Sequence, residues 1–158
     1  MDGYHDDREA TAAAINDDGW LRTGDLVAIR NDGQVVIEDR LKELIKVKGA
    51  SVAPAELELV LSEHPAVRDA AVVGRPDPLR GEVPVAWAVL TAPATPEELI
   101  SFVRARVAPQ RRLHDVRVVD ELPRMPNGEL PRRALRDRER DLAATGANAA
   151  FTDRGWRA

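Results

Sequence analysis

The sequence contains no cysteine and no apolar run that approaches the length of a membrane span. The first absence excludes disulfides and thiol chemistry and is compatible with a reducing compartment. The second, together with an acidic amino-terminal segment that is the opposite of a signal peptide, leads us to expect a cytoplasmic protein with no membrane partner. The net charge of −4 argues against a nucleic-acid partner. The three histidines are scattered without ligand spacing, so we expect no metal site.

Lysine is also scarce, because only three of the 23 basic residues are lysines and the other 20 are arginines. All three fall within a few positions of one another, at Lys42, Lys46 and Lys48. A lysine ammonium is a compact charge on a flexible stem, whereas an arginine guanidinium is a rigid planar fork. We therefore interpret this cluster as one that follows a moving phosphate or carboxylate.

The order of elements predicts the fold class. Segment 31–33 reads Asn-Asp-Gly between two β-rich runs, which predicts a hairpin. Pro54 is placed as the first residue of one helix, and Thr95 with Glu98 forms the capping box of another. The pattern ββ followed by ββαββαβα does not alternate strictly. It predicts an α+β fold with a small mixed sheet and two to three packed helices, preceded by β-hairpins.

The segment IKVKG predicts where the lysine amines point. Lys46 and Lys48 alternate with Ile45 and Val47, so on a strand both amines would share one face. The alternative interpretation is an ordinary half-exposed strand with a solvated outer face. The concentration of lysine in this segment favours the functional interpretation.

Four stretches resemble, in order and approximate spacing, the C-terminal motifs of the superfamily of AMP-forming acyl-CoA synthetases, adenylation domains and luciferases. They are DGWLRTGDL (18–26), EDRLKELIKVKGASVAPAELE (38–58), HPAVRDAAVVGRPDPLRGEVPVAWAVL (64–90) and LPRMPNGELPRR (122–133). The resemblance covers roughly residues 3 to 138. It implies an enzyme that uses ATP with Mg²⁺ to convert a carboxylic acid to an acyl-adenylate and then transfers the acyl group to coenzyme A or phosphopantetheine.

The resemblance also implies a domain organisation. Such enzymes have a large N-terminal domain with a glycine-rich phosphate loop, and a small C-terminal lid that rotates between the two half-reactions. This chain has no such phosphate loop. We therefore expect residues 1–40 to be the end of the large domain, 41–138 the mobile lid and 139–158 a flexible tail, and we expect the chain alone to be inactive.

Three of the implied site residues lie near the predicted domain junction. Asp25 matches the aspartate that binds the adenosine ribose hydroxyls, and Arg40 matches an arginine that meets ribose and phosphate oxygens. Taken locally, Asp25 could equally be a turn aspartate and Arg40 a surface arginine. Lys42 falls where these enzymes pivot, a role that belongs to the position more than to the amine.

The resemblance assigns the lysine segment to thioester formation. Lys46 and Lys48 lie on the hairpin that swings into the active site for that step. Gly49 would let the backbone approach the channel for the CoA thiol, where a Cβ would obstruct.

One departure from the family pattern concerns catalysis. The loop before the last helix normally places a lysine, the adenylation lysine, after its glycine, and here that position is Glu129. A cation there stabilises charge shared by the substrate carboxylate and the α-phosphate, whereas a carboxylate repels both. Arg132 and Arg133 begin the next helix and have a different reach.

Three hypotheses remain open from the sequence. The first is the C-terminal domain of an acid–thiol ligase, whose substrate acid is not readable. The second is a stand-alone, non-catalytic lid-like module that binds a partner adenylating domain or a carrier protein. The third is a nucleotide-binding regulator that uses Asp25 and Arg40. Whether Glu129 is natural or engineered, and the oligomeric state, also cannot be read from the sequence.

Overall fold

The chain divides between Lys42 and Glu43 into two units in the computed structural model, which describes residues 1–145. The boundary expected from the sequence, after Arg40, lies slightly earlier along the chain. A short 3-10 helix, Leu41–Glu43, spans the division.

The first unit consists of one helix and one hairpin. Helix α1 (Arg8–Ala14) begins after Asp7, whose carboxylate accepts the Ala10 N–H at 2.8 Å. Strands β1 (Asp25–Ile29) and β2 (Val35–Arg40) pair antiparallel. The predicted hairpin is therefore confirmed, with Gly33 at φ +82° in the turn between the strands.

The second unit contains a mixed five-stranded sheet and three helices within the described residues. The elements are β3 (Ile45–Val47), β4 (Ala50–Val52), α2 (Pro54–Ser62), β5 (Val67–Asp77), β6 (Gly81–Leu90), α3 (Pro96–Arg104), β7 (Asp115–Val119) and α4 (Arg132–Thr145). The strand order is β4-β3-β6-β5, and β7 pairs with β6 in the parallel direction. The predicted α+β class and small mixed sheet are confirmed.

Local signals in the sequence account for two of these helices. Pro54 begins α2 as predicted. Thr95 accepts the Glu98 N–H and Glu98 accepts the Thr95 N–H, so the capping box of α3 is present. The capping box satisfies two N–H groups that a helix start leaves without an internal partner, whereas Pro54 has no N–H to satisfy at the first position of α2.

The core lies on both faces of the β5–β6 ribbon, the antiparallel pair formed by the two longest strands of the second unit. On one face, buried leucines of α2 and α3 pack in a cluster that includes Leu57, Leu61 and Leu99. On the other face, Trp87 packs with Leu135 of α4. Trp87 is fully buried. Coverage on both faces explains why β6 is apolar almost throughout instead of alternating.

Helix α4 corrects the predicted start of the flexible tail. Residues 139–145 continue this helix, and Glu139 is fully buried. The remainder of the predicted tail, residues 146–158, lies outside the described residues. No helix within residues 1–145 is long and apolar enough to cross a membrane.

Candidate functional site

Asp25 and Arg40 lie opposite each other across the hairpin of the first unit. They are register partners of β1 and β2, and the Arg40 Nε is 3.2 Å from the Asp25 Oδ1. The Asp25 side chain is only 17% exposed, whereas that of Arg40 is 59% exposed. The two residues assigned to the nucleotide are thus brought together as an acceptor carboxylate beside a donor guanidinium.

The backbone before Asp25 is held by its own contacts. Gly24 has φ +74°, a conformation that a side chain would strain. The Thr23 hydroxyl accepts the Asp25 N–H at 3.2 Å, and the Gly24 carbonyl accepts the Leu41 N–H at 2.8 Å. The second bond ties the start of β1 to the residue after β2, and the first holds the backbone at Asp25 locally.

The hairpin of β3 and β4 (45–52), which we call the lysine hairpin, differs from its predicted geometry. Strand β3 ends at Val47, and Lys48 with Gly49 forms the two-residue turn to β4, at φ +49° and +83°. Positive φ at both central residues is characteristic of a type I′ turn, which matches the twist of the flanking strands. The prediction that Lys46 and Lys48 share one strand face is therefore wrong, because Lys48 has left the strand.

The turn gives a local reason for glycine at position 49. A Cβ built there would meet no atom within 4 Å in this chain. The turn itself accounts for glycine through its positive φ. Lys46 and Lys48 are both exposed, and the Lys46 Nζ is 2.6 Å from the Ser51 hydroxyl.

The turn between β5 and β6 (78–80) lies beside the lysine hairpin. The Lys48 N–H donates to the Arg80 carbonyl at 2.8 Å, and Val47 pairs with Gly81. The Lys46 N–H donates to the Glu82 carboxylate at 2.8 Å. These bonds fix the lysine hairpin to the β5–β6 end of the sheet.

Glu129 lies in an exposed turn between β7 and α4. The Met125 N–H donates to the Glu129 carbonyl at 2.9 Å, and the Gly128 N–H donates to the Met125 carbonyl at 2.8 Å. Gly128 has φ +84°, and the Asn127 side chain accepts the Glu129 N–H at 3.1 Å. The residues from Met125 to Glu129, which we call the 125–129 turn, thus present the Glu129 carboxylate to solvent from a defined backbone.

Two arginines flank the 125–129 turn. Arg124 donates to the Gly128 carbonyl at 3.3 Å and forms an ion pair with Asp69 of β5. Arg132 binds the Glu58 carboxylate with both terminal nitrogens, at 2.5 and 2.8 Å. Arg133 is 91% exposed and is 3.9 Å from Asp137. Arg132 is therefore held by Glu58 through two hydrogen bonds.

A buried charge cluster beneath α4 was not predicted from the sequence. Arg117 of β7 binds Glu139 with its Nε at 2.5 Å, and Arg75 Nη1 binds Asp115 at 3.0 Å. Burial alone would lower the pKa of Arg117, but its hydrogen bond with Glu139 and the charges of Glu139 and Asp115 outweigh burial and raise that pKa. Glu139 follows Leu135 by four residues and thus shares its inward face, which is the sequence signal for this cluster.

Lys42 and the remaining predicted features complete the site. Lys42 is exposed in the 3-10 helix at the division between the units. Glu56, in the first turn of α2, pairs with Arg111 at 2.5 Å. Within residues 1–145, no group of three or more histidine, aspartate or glutamate side chains could hold a metal ion.

Comparisons with known proteins show relatives in sequence and in structure. Residues 56–129 match the family of AMP-binding enzyme C-terminal domains. The chain is 49% identical over 139 residues to 4-coumarate–CoA ligase-like 9 of Oryza sativa subsp. japonica, which covers 87% of this chain and 25% of the relative. It is 46% identical over 138 residues to the 4-coumarate–CoA ligase of Pinus taeda, covering 87% and 26%.

Solved structures give the same result. ATP-bound MatB from Rhodopseudomonas palustris superposes with a TM-score of 0.84 at 32% identity, over 89% of this chain and 28% of that one. The o-succinylbenzoate CoA synthetase of Bacillus subtilis, in complex with its acyl-adenylate intermediate, superposes with a TM-score of 0.79 at 38% identity, over 87% and 28%. The chain thus spans about a quarter of the length of the curated relatives it matches. It belongs to the superfamily of AMP-forming acyl-CoA synthetases, adenylation domains and luciferases, of which it carries the C-terminal domain.

Proposed function

We propose that this chain is the C-terminal part of an ATP-dependent, AMP-forming ligase that joins a carboxylic acid to CoA or to a carrier thiol. In this proposal the second unit closes over the active site and swings about Lys42 between adenylation and thioester formation. The observation that carries it is the placement of two functional elements at opposite ends of the β5–β6 ribbon.

The separation of these two elements supports the need for two orientations. The lysine hairpin joins the ribbon where Val47 pairs with Gly81, whose partner in β5 is Asp77. The 125–129 turn is held near Asp69 through Arg124. Asp69 and Asp77 are eight residues apart in β5, or about 26 Å at ~3.3 Å per residue. A separation of this kind within one unit fits a unit that rotates to present each element in turn.

The proposed nucleotide-binding site depends on Asp25 and Arg40. A carboxylate accepts hydrogen bonds from two neighbouring ribose hydroxyls, and a guanidinium donates to ribose or phosphate oxygens. The acceptor and donor that the structure places 3.2 Å apart fit that ligand set. ATP would supply the AMP group, and the Mg²⁺ expected with it would be held by the complete enzyme.

The proposed contact with the thiol substrate depends on the lysine hairpin. Lys46 and Lys48 are exposed cations that can meet the phosphates of CoA or phosphopantetheine. Open space around the Gly49 Cα leaves the turn free to approach a pantetheine chain. We infer that this hairpin is competent for the second half-reaction.

Glu129 changes the first half-reaction. Adenylation brings a substrate carboxylate against the α-phosphate, and both are anionic. A carboxylate at the adenylation-lysine position adds a third negative charge where a cation would lower the barrier. We therefore propose that this chain supports acyl transfer and is impaired in adenylation.

The missing partner is a large N-terminal adenylating domain. On the β1–β2 hairpin the exposed apolar side chains fall into directly paired positions, Val27 with Ile37 and Ile29 with Val35. Paired residues of two strands point to the same face of the sheet. An exposed apolar face of this kind supports contact with a further part of the protein.

A chimera tests the proposal. Residues 1–145 would replace the matching C-terminal segment of the Bacillus subtilis o-succinylbenzoate CoA synthetase, which is 38% identical over this region. Adenylation would be measured as ATP–pyrophosphate exchange with the acid of the host enzyme. Transfer would be measured as CoA thioester formation from supplied acyl-adenylate. The unmodified host is the control for both assays.

The two half-reactions should separate. We expect exchange to fall by about a hundred-fold or more relative to the host, with transfer retained within about tenfold. Loss of transfer in a folded chimera would contradict the proposal and would favour the non-catalytic module. Full exchange activity would show that Glu129 does not occupy the position of the adenylation lysine.

A further inference from the structure

Glu43 occupies an unusual place in the second unit. It is the first residue after the division at Lys42, yet its side chain is only 14% exposed. Its carboxylate lies 4.0 Å from the Arg132 Nε and 3.8 Å from an Arg136 terminal nitrogen. Both arginines belong to α4, almost ninety residues later in the sequence.

Arg132 connects this contact to the sheet and to the 125–129 turn. Its guanidinium binds both oxygens of Glu58 and donates to the Val72 carbonyl at 3.2 Å. The same Glu58 accepts the Val72 N–H at 2.7 Å. Only two residues separate Glu129 from Arg132, so a short segment joins the turn to this anchored arginine.

The electrostatics of α4 explain why acidic partners are needed. The helix begins with Arg132 and Arg133 and has no acidic residue in its first turn. Positive charge is unfavourable at a helix N-terminus, where the backbone N–H groups already carry partial positive charge. Glu43 and Glu58 supply the missing negative charge from outside the helix.

We propose that Glu43 is a positioning residue that links the start of the second unit to α4, an inference that rests on the proposed function. Through Arg132 and Arg136 it makes the first residue after the pivot, the helix and the 125–129 turn move as one body. When the second unit rotates about Lys42, residue 129 then moves rigidly with it. Glu43 itself contacts no substrate.

Hydrogen exchange on the 158-residue chain tests this without any catalytic assay. The variant Glu43→Gln removes the charge and keeps the shape. The matched control Glu63→Gln also removes one carboxylate, which lies 3.8 Å from Arg106 at the far end of α2. The reporters are the amides of Met125 and Ala134, which are hydrogen-bonded within the turn and the first turn of α4. The amides of β6 (Gly81–Leu90) report global opening.

The expected pattern is local. Glu43→Gln should raise exchange at the reporter amides about fivefold, with β6 and the control variant unchanged. Equal acceleration in β6 would mean that Glu43 only stabilises the whole unit, and would overturn the proposal. No change at the reporters would overturn it as well. If Glu43→Gln does not fold, Arg136→Gln carries the same test from the other side of the ion pair.

A second readout separates this inference from the proposed function. In the chimera carrying Glu129→Lys, Glu43→Gln should lower ATP–pyrophosphate exchange about five- to tenfold and leave acyl transfer unchanged. Exchange would fall because only adenylation needs the 125–129 turn in place. Equal loss in both half-reactions would overturn the positioning role. An inactive chimera with the expected hydrogen-exchange pattern would count against the proposed function alone.

Discussion

Replacing Glu129 by lysine reverses the charge at the tip of the 125–129 turn. The backbone of that turn is set by Gly128 at φ +84°, by the Asn127 side chain and by the hydrogen bond from Met125 to the Glu129 carbonyl. The Glu129 carboxylate enters none of these contacts. We therefore expect the free energy of unfolding to change by less than about 0.5 kcal/mol.

The catalytic effect should be much larger. Two unit charges about 4 Å apart interact by ~1 kcal/mol in water and by ~4 kcal/mol at an effective dielectric constant of ~20. Reversal replaces repulsion by attraction, so the difference is about twice either value. Because the turn is exposed, the lower part of that range applies. A gain of about 3–4 kcal/mol, or roughly a hundred- to thousand-fold in adenylation rate, agrees with other preorganised oxyanion partners.

The assay is ATP–pyrophosphate exchange in the chimera, compared with acyl transfer from supplied acyl-adenylate. Glu129→Gln should fall between the parent and Glu129→Lys, because it removes the repulsion without adding attraction. Glu121→Lys is the matched control, since it makes the same charge change at an exposed position outside the turn. Unchanged exchange in Glu129→Lys, or an equal gain in Glu121→Lys, would refute the reasoning.

Three further predictions concern the lysine turn, the acid response and the buried charges. Gly49→Leu should lower acyl transfer and leave adenylation unchanged; it should also lower the Tm by roughly 4–8 °C per kcal/mol of left-handed strain, whereas Gly49→Asn should not. Burial would raise the pKa of Asp77, but the backbone N–H groups of Leu79 and Arg80, with the charges of Arg80 and His114, outweigh burial and lower that pKa below its ordinary value. The stabilisation from Asp77 is therefore complete above about pH 4 and lost as the pH falls, and thermal unfolding of Asp77→Asn should lack this component. Glu139→Gln should cost about 3–5 kcal/mol in urea unfolding because Arg117 stays buried, and Arg117→Met with Glu139→Leu should recover most of it.

Strong local signals made much of the second unit predictable. Pro54 specifies a helix start through its fixed φ, and Thr95 with Glu98 specifies another through reciprocal hydrogen bonds; the structure confirms both. Period-two alternation misplaces Lys48, because the alternation ends where the two-residue turn begins. The sequence does contain a turn signal, because Lys48 and Gly49 lie between two short β-rich runs. A glycine at the second position of a two-residue connection favours a type I′ turn.

The charge pairs were less accessible to sequence reasoning. Glu58 and Arg132 are 74 residues apart, and an arginine-rich helix is usually solvated. Only the packing of α4 on the sheet brings them together. The contact of Asp25 with Arg40 follows from hairpin register, which the turn at segment 31–33 indicates but does not by itself fix.

In the 125–129 turn, the position of residue 129 does not depend on which side chain that residue carries. Gly128, Asn127 and the Met125 N–H fix the backbone at residue 129, and the side chain of that residue contributes nothing to its own placement. One substitution can therefore exchange the carboxylate at this position for a cation without unfolding the turn. Under the proposed function, selection acting on this position could strengthen or weaken adenylation without altering the fold of the second unit.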